Sequence, residues 1–280
     1  MQFPEMPHNP LPREIAPGVF WLSECFPVLY NGTWLHTYNA AFLVVGEKSA
    51  ALIETGITAA HLIVLEQVDQ ILAGRDIEVE YVFVTHSEMS HCGGVGKVLG
   101  KFPKARMIGE VCDLHLVFPQ FEDRIEFAEP GDSFDLGGRA LTVHESVFRD
   151  LIHSRWFFDT GANVLFTGDG FAYSHVHDAC DCGHLAEEAT TLKIDEQMQR
   201  FAFSAFHWTQ FVDIEPYVER MDDLLHELDV RIVAPTHGLP ITDLSQTMPI
   251  VREGFRGMKE AAIAEAARRR ALLAEQAARV

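Results

Sequence analysis

Residues 79–91 read VEYVFVTHSEMSH, and the prediction of the fold starts from this stretch. Its first part is an apolar run, which predicts a buried strand. The run ends in His86, Glu88 and His91, three side chains within six residues that can bind a metal ion. Two imidazoles and a carboxylate that leave one tight loop can converge on a cation without any helical spacing. The stretch therefore predicts a metal site at the end of a core strand.

Three other places along the chain combine an apolar run with a residue that can bind a metal. His153 precedes a short apolar run, Asp169 closes the run VLFTGD, and His237 lies in the run IVAPTHG. Each of them has Gly or Ser beside it, where the backbone can approach a site closely. These three residues therefore join the first three as candidate metal ligands.

The segments around these residues alternate between strand and helix. Strands are predicted at 19–23, 38–46, 49–56, 79–86, 105–109, 130–138, 139–146 and 231–235, and a strand-turn-strand run at 154–168. Helices are predicted at 59–72, from Val95 onwards and within 183–228. Two strand-rich blocks with helices between them favour an α+β fold in which two packed mixed sheets are flanked by helices.

Residues 251–280 differ in composition from the rest of the chain. They carry seven Lys/Arg and four Glu, a net charge of +3, whereas residues 1–250 carry −22. Their Ala-rich composition predicts one terminal helix, so we divide the chain into a metal-binding domain, 1–250, and a helical extension, 251–280. The extension is either a solvated helix or an arm that docks on a second subunit and favours a homo-oligomer. The apolar residues available for that docking seam are Phe255, Met258, Ile263 and Leu272.

Composition argues against several classes of function. The 280-residue chain has 22 Lys+Arg and 41 Asp+Glu, a formal charge of −19 that would repel phosphate backbones and anionic lipid headgroups. It has neither an apolar run long enough to span a membrane nor the pattern of a signal peptide. We therefore expect a cytoplasmic protein that binds neither nucleic acid nor membranes. The five cysteines, an odd number in a long chain, indicate reduced thiols rather than a disulfide framework.

Five motifs, found in order along most of the chain, carry a resemblance to a known family. They are TYNA at 37–40, IETG at 53–56, the loop His86-x-Glu88-x-Ser90-His91, LFTGD at 165–169 and APTHG at 234–238. Together they resemble the metallo-β-lactamase superfamily, and within it the flavodiiron proteins and the stand-alone oxygen-binding diiron proteins. The glutamate at the third position of the loop is the flavodiiron variant. The resemblance implies a metallo-β-lactamase-like αββα sandwich.

The resemblance also implies two metal ions that share one carboxylate. The first ion would be held by His86, Glu88, His153 and Asp169, and the second by His91, His237 and the shared Asp169. His144 is the alternative to His153. This mixture of imidazoles and carboxylates suits iron, with zinc or manganese as alternatives. Ser90 stands where the superfamily loop supplies an aspartate, so the second ion is expected to be held more weakly.

Four further side chains are candidates for the surroundings of the metals or for a pocket: Ser90, Cys92, His36 and His175. His36 is placed in a loop, and Cys92 is interpreted as a packed side chain. His175 lies in a His/Cys-rich segment that ends at His184, and the Cys-x-Cys spacing within it is not that of a closed zinc site. This segment is interpreted either as an ordinary loop or as a lid linked to the substrate or to redox chemistry.

For function, the resemblance implies a non-haem di-iron protein, or one with a mixed or mononuclear metal site, that binds or activates a small oxidant such as O2 or NO. The residues after Ile241 are too few for the flavodoxin domain that supplies electrons in flavodiiron proteins, so electrons would come from a separate redox partner. One alternative is an O2 sensor that does not turn over. The other is a metal-dependent hydrolase, in which a metal-activated water attacks an ester, an amide or an activated ether.

Overall fold

A computed structural model describes residues 11–30, 33–109, 113–175, 182–189, 193–201 and 205–278. Its strands are β1 Arg13–Ala16, β2 Val19–Leu22, β3 Cys25–Tyr30, β4 Thr33–Tyr38, β5 Ala41–Val45, β6 Ala50–Ile53, β7 Val79–Val84, β8 Arg106–Gly109, β9 Ile125–Phe127, β10 Ser133–Asp135, β11 Ala140–Glu145, β12 Arg155–Asp159, β13 Val164–Gly168 and β14 Ile232–Pro235. Its α-helices are α1 His61–Leu72, α2 Met89–Cys92, α3 Val95–Lys101, α4 Leu114–Val117, α5 Ile194–Phe201, α6 Glu215–Glu227 and α7 Leu244–Ala277. Two 3₁₀ helices span Pro119–Arg124 and His207–Phe211.

Two mixed sheets form the body of the protein. The first has seven strands in the order β1-β2-β5-β6-β7-β8-β9, antiparallel as far as β6 and parallel from β6 to β9. The second has five strands in the order β10-β11-β12-β13-β14, and only its pairing of β13 with β14 is parallel. Strands β3 and β4 form a separate antiparallel hairpin. The carboxyl ends of the parallel strands therefore lie together within each sheet, where ligands commonly bind in α/β proteins.

Aromatic side chains fill the space between the two sheets. The ring centroid of Phe42 on β5 lies 5.3 Å from that of Phe166 on β13, and the centroid of Phe83 on β7 lies 4.9 Å from that of Phe157 on β12. Helices α1 and α3 pack apolar residues against the first sheet, and α5, α6 and α7 join the core that contains the second. These layers confirm the predicted α+β sandwich of two mixed sheets flanked by helices.

The terminal helix α7 starts before residue 251, so the predicted domain boundary falls inside a helix. The ring of Phe255 stacks on that of Phe148 with the centroids 3.7 Å apart, and Met258 is also fully buried. The prediction that Phe255 and Met258 belong to a docking seam is therefore wrong, because both side chains lie in the core of their own chain. The other two residues of that seam, Ile263 and Leu272, are exposed to 47% and 42%.

Three other expectations can be compared with the fold. His36 lies on strand β4, not in a loop, so its predicted local structure is wrong. No disulfide joins the described cysteines Cys25, Cys92 and Cys182, whereas Cys112 and Cys180 lie outside the described residues. None of the helices in the described part of the chain is long and apolar enough to cross a membrane.

Candidate metal centre

The ends of strands from both sheets meet and bring imidazoles and carboxylates together. His86 follows β7 of the first sheet, and Asp169 and His237 follow β13 and β14 of the second. Nε2 of His91, on α2, lies 3.1 Å from Oδ1 of Asp169, and Nε2 of His237 lies 3.3 Å from the same oxygen. Asp169 therefore faces imidazoles that both sheets supply.

The close approach of the two sheets at this point depends on Gly168. Its φ angle is +55°, and a Cβ atom added there would lie 2.5 Å from Oγ1 of Thr85. Any other residue would meet both an unfavourable backbone conformation and a steric clash. Glycine at this position therefore allows Asp169 to lie next to the loop that follows β7.

Glu54, which was not among the residues predicted for the site, holds His91 from the side opposite Asp169. Its buried carboxylate accepts a hydrogen bond of 3.1 Å from Nδ1 of His91 and one of 2.5 Å from Oγ1 of Thr85. Because Nδ1 donates to Glu54, Nε2 is the ring nitrogen that faces Asp169. A carboxylate that orients a histidine in this way is common behind metal ligands. An acidic residue that ends the apolar run AALIE at 50–54 is the signal that could have identified it.

His237 is oriented in the same way by a backbone carbonyl. Its Nδ1 donates a hydrogen bond of 2.5 Å to the carbonyl oxygen of Tyr38. The ring of Phe201 lies parallel to the imidazole, with the centroids 6.0 Å apart. The carbonyl and the stacked ring together fix the imidazole with Nε2 directed at Asp169.

A second group of possible ligands shares two residues with the first. One group consists of His86, His91 and Asp169, and the other consists of His86, Glu88, Asp150 and Asp169. Within each group the ligand atoms all lie within 4.8 Å of one another. In the second group Nε2 of His86 lies 3.3 Å from Oδ2 of Asp150, whose side chain is only 7% exposed. Sequence reasoning missed Asp150, because an aspartate in the turn between β11 and β12 carries no distinguishing pattern.

His153 and His144 lie in neither group. His153 is exposed in the turn before β12, and its ring centroid is 6.5 Å from that of Phe127. His144 lies on β11, where its Nε2 shares a hydrogen bond of 2.8 Å with Oγ1 of Thr142. The structure therefore brings Asp150, rather than either histidine, next to His86.

The hydrogen bonding of the polar atoms at the middle of the cluster shows whether the cluster fits a metal ion. Nε2 of His86, Nε2 of His91 and Oδ1 of Asp169 are buried and have no hydrogen bond of suitable geometry within the described residues. Buried polar atoms without partners are costly, so native proteins rarely keep them without a reason. A cation bound by these atoms would satisfy all three at once, and the residues therefore fit a metal ion.

Burial and charge shift the pKa values within the cluster. Burial and the neighbouring His91 lower the pKa of His86, and burial lowers the pKa of His237. Burial also opposes a proton on His91, but the carboxylates of Glu54 and Asp169 outweigh it and raise the pKa of His91 well above its ordinary value. Burial alone would raise the pKa of Asp169, yet the charges of His237 and His91 hold it well below its usual range. The cluster therefore favours an ionised Asp169 with a positive charge beside it. A bound cation can supply that positive charge.

Ser90 and Cys92 lie on α2, on either side of His91 in the sequence. Ser90 is half-buried. Cys92 is fully buried in the apolar layer between the first sheet and helices α1 and α3, and its Sγ donates a hydrogen bond to the carbonyl of Ser87 at 3.4 Å. This position agrees with the interpretation of Cys92 as a packed side chain.

His36 and His175 lie together in a different cluster, with Cys25 and Cys182. Most of the segment interpreted as a loop or a lid, residues 176–181, lies outside the described residues. The structure therefore describes only the two ends of this segment.

A cavity of about 250 Å³ opens beside His237. Its wall is predominantly apolar, and the residues that line it are Val28, Leu35, Thr37, Ser174, Arg200, Phe201 and His237. Apolar walls with few polar groups are typical of small-molecule sites. A cavity of this size next to the cluster suits a ligand of a few atoms.

A model of a known protein family covers the part of the chain that forms the metal centre. The model of the ODP family beta lactamase matches residues 37–238, which include every residue of both ligand groups and Glu54. The chain belongs to the ODP beta-lactamase family. The match confirms the resemblance to the metallo-β-lactamase superfamily.

The known proteins to which this ODP family member is similar include oxidases and flavodiiron proteins. The coenzyme F420H2 oxidase of Methanothermobacter thermautotrophicus is 28% identical over 242 residues, which cover 81% of this chain and 57% of the oxidase. The rubredoxin oxygen:oxidoreductase of Desulfovibrio gigas superposes with a TM-score of 0.70 at 15% identity, over 88% of this chain and 61% of that one. The flavodiiron protein of Giardia intestinalis superposes with a TM-score of 0.69 at 14% identity, over 92% and 60%. The chain thus spans about three fifths of the length of these relatives and shares the fold of their matching part.

Proposed function

We propose that this chain holds a non-haem di-iron centre that binds or activates a small oxidant, either dioxygen or nitric oxide. The observation that carries the proposal is that Asp169 lies within reach both of the group around His86 and of the imidazoles of His91 and His237. A shared carboxylate between two groups is the arrangement that allows one residue to bridge two ions. The relatives named as oxidases and as a flavodiiron protein support the same chemistry.

The residues divide between the two ions as follows. One ion would be held by His86, Glu88, Asp150 and Asp169, and the other by His91, His237 and the shared Asp169. The first set contains three carboxylates, and hard oxygen donors mixed with imidazole suit iron or manganese better than the thiolate-rich sets typical of structural zinc. We therefore propose iron in both positions.

The surrounding residues orient these ligands and control access to them. Glu54 and the carbonyl of Tyr38 fix the tautomers of His91 and His237, so that each imidazole presents Nε2 to the centre. Two ferrous ions bound there would supply the electrons for the reduction of a small oxidant. The apolar cavity beside His237 admits a gas molecule and disfavours charged solutes. We propose that a separate redox protein restores the electrons.

The test is the colour of the iron-loaded full chain, purified without oxygen. We expect iron at two ions per chain, an absorption band that appears on exposure to O2 or NO, and its loss on chemical reduction. Asp169→Asn, which removes the charge with little change of shape, should abolish the band. A colourless zinc protein that hydrolyses esters or amides would overturn the proposal in favour of a hydrolase.

A second measurement separates an enzyme from an O2 sensor. With excess chemical reductant, an oxidase consumes many equivalents of O2 per chain, and the consumption should stop in Asp169→Asn. A sensor takes up O2 once and stops, because it does not turn over. We expect repeated consumption, as the names of the relatives indicate.

A further inference from the structure

A second cluster, which shares no residue with the metal centre, brings two cysteines and two histidines together. Cys25 begins strand β3 and His36 lies on β4, whereas His175 and Cys182 follow β13. One ligand atom from each of the four lies within 4.8 Å of the others. Two sulfur and two nitrogen donors, from parts of the chain distant in sequence, therefore converge on one point.

The distances between these atoms match the edges of a tetrahedron around a metal ion. Sγ of Cys25 lies 3.3 Å from Nδ1 of His36 and 3.5 Å from Nε2 of His175. Sγ of Cys182 lies 3.7 Å from the same nitrogen of His36. Tetrahedral zinc with Zn–S of about 2.3 Å and Zn–N of about 2.0–2.1 Å requires sulfur-to-nitrogen separations of about 3.5 Å. Three of the six distances among the donors thus lie close to the spacing that zinc requires, and the others are within 4.8 Å.

The backbone holds the cluster in place. His36 and His175 each donate a main-chain N–H to the other's carbonyl oxygen, and both hydrogen bonds are 2.8 Å long. Cys25, His175 and Cys182 are exposed to 2% or less, and His36 is half-buried. A set of four donors that is buried and fixed by the main chain is preorganised for a ligand.

We propose that Cys25, His36, His175 and Cys182 bind one zinc ion as a closed structural site. Two cysteines and two histidines are a donor set of structural zinc sites, and four protein ligands leave no open position for a substrate. Two thiolates also neutralise a divalent ion, which removes the cost of burying its charge. The soft thiolates distinguish this site from the oxygen-rich centre at Asp169, and so favour zinc here and iron there.

The zinc ion would link the β3–β4 hairpin to the chain that follows β13. Leu35 of that hairpin and Ser174 both line the cavity beside His237, so the link would fix two walls of that cavity. Tyr38 lies between the two sites. Its hydroxyl accepts a hydrogen bond of 2.6 Å from the N–H of Gly183, its ring stacks on His175 with centroids 5.5 Å apart, and its carbonyl holds His237.

The test is X-ray absorption at the zinc edge on the full chain, produced with iron and zinc and purified without oxygen. We expect one zinc per chain, with two sulfur ligands at about 2.3 Å and two nitrogen ligands at about 2.0–2.1 Å. The wild-type spectrum is decisive by itself, because none of the residues grouped at the other centre carries sulfur. Zinc with only nitrogen and oxygen ligands, or iron-loaded protein without zinc, would overturn the proposal.

Variants then assign the ligands. Cys25→Ser and Cys182→Ser should each reduce the number of sulfur ligands from two to one. Each should also lower the affinity for zinc by at least roughly 10–100-fold, which is the loss caused by changing a residue that only supports a ligand. Cys92→Ala, which removes another buried thiol, should leave the zinc spectrum unchanged, and so should Asp169→Asn. If Cys92→Ala removes the sulfur ligands, or if peptide mapping of the wild type finds a Cys25–Cys182 disulfide, the assignment is wrong.

Discussion

Nε2 of His86 lies 3.3 Å from Oδ2 of Asp150, while His153, three residues further along the chain, is exposed. The turn before β12 thus presents an aspartate to the cluster and a histidine to solvent. Ser154, the last residue before this strand, donates a hydrogen bond of 3.1 Å to the other carboxylate oxygen of Asp150. The aspartate is therefore both oriented and close to a buried imidazole, as a metal ligand requires.

The first prediction concerns the choice between Asp150 and His153. We expect Asp150→Ala to lose at least half of the bound metal, because it removes a charged oxygen donor next to His86. His153→Ala is the matched control and should retain the wild-type metal content, since its side chain lies at the surface. Elemental analysis of both folded variants measures the difference. Full metal content in Asp150→Ala together with loss in His153→Ala would restore the histidine as the ligand.

The second prediction concerns Glu54, which touches the centre through His91, Thr85 and Thr236. An alanine there would remove every hydrogen-bonding atom of the side chain together with its charge. Glu54→Gln keeps the length of the side chain and removes the charge. We expect it to weaken metal binding about 10–100-fold with little loss of stability. Chelator titration gives the affinity, and the midpoint of thermal unfolding shows whether the fold is intact. An unchanged affinity would limit Glu54 to a structural role.

The sequence predicts the fold well because the apolar periodicity of the two sheets is strong. The strand that ends at His86 and the helix that packs Val64 and Val68 against the first sheet are both visible in the pattern. The hairpin of β3 and β4 is not, since Pro27 interrupts the first of its strands and obscures the signal.

The candidate site is only partly visible in the sequence. The loop from His86 to His91 brings its ligands together locally, so one motif reveals them. Asp150 and Glu54 reach the cluster through tertiary packing, and no local spacing connects them to it. Cys182 shows the same limit, because Cys25 and His36, which lie beside it in the structure, are far from it in the sequence.

The third prediction concerns the two parts of helix α7. Phe255 stacks on Phe148 in the core, so Phe255→Ala should lower the free energy of unfolding by about 3–5 kcal/mol. Residues 267–278 are exposed, and removal of 267–280 should change the free energy of unfolding of the dissociated monomer by no more than about 0.5 kcal/mol. Urea unfolding of both variants measures these differences. A large loss of stability on truncation would mean that the end of the helix packs on the body.

The truncated chain also tests the predicted homo-oligomer. Residues 267–280 carry a net charge of +3 and the exposed side chains of Leu272 and Leu273, whereas the body is acidic. We expect their removal to lower the mass measured by light scattering, because opposite charge and apolar contact would hold this arm on a second subunit. Replacing Leu272 and Leu273 with Gln is the matched change that keeps the helix and the charge. If both variants keep the mass of the wild type, the arm is a solvated helix.

The last prediction concerns Ser90, which directly precedes His91 on α2. The group around His86 offers four protein ligands, whereas His91, His237 and Asp169 offer three. An ion with fewer anionic ligands is held less tightly, so the two ions of the wild type should leave at different chelator concentrations. Ser90→Asp should bring the two release steps closer together by strengthening the weaker ion roughly tenfold or more. Ser90→Asn, which has the same shape without the charge, should keep the steps apart. A single release step in the wild type, or the same response in both variants, would show that Ser90 does not limit the second ion.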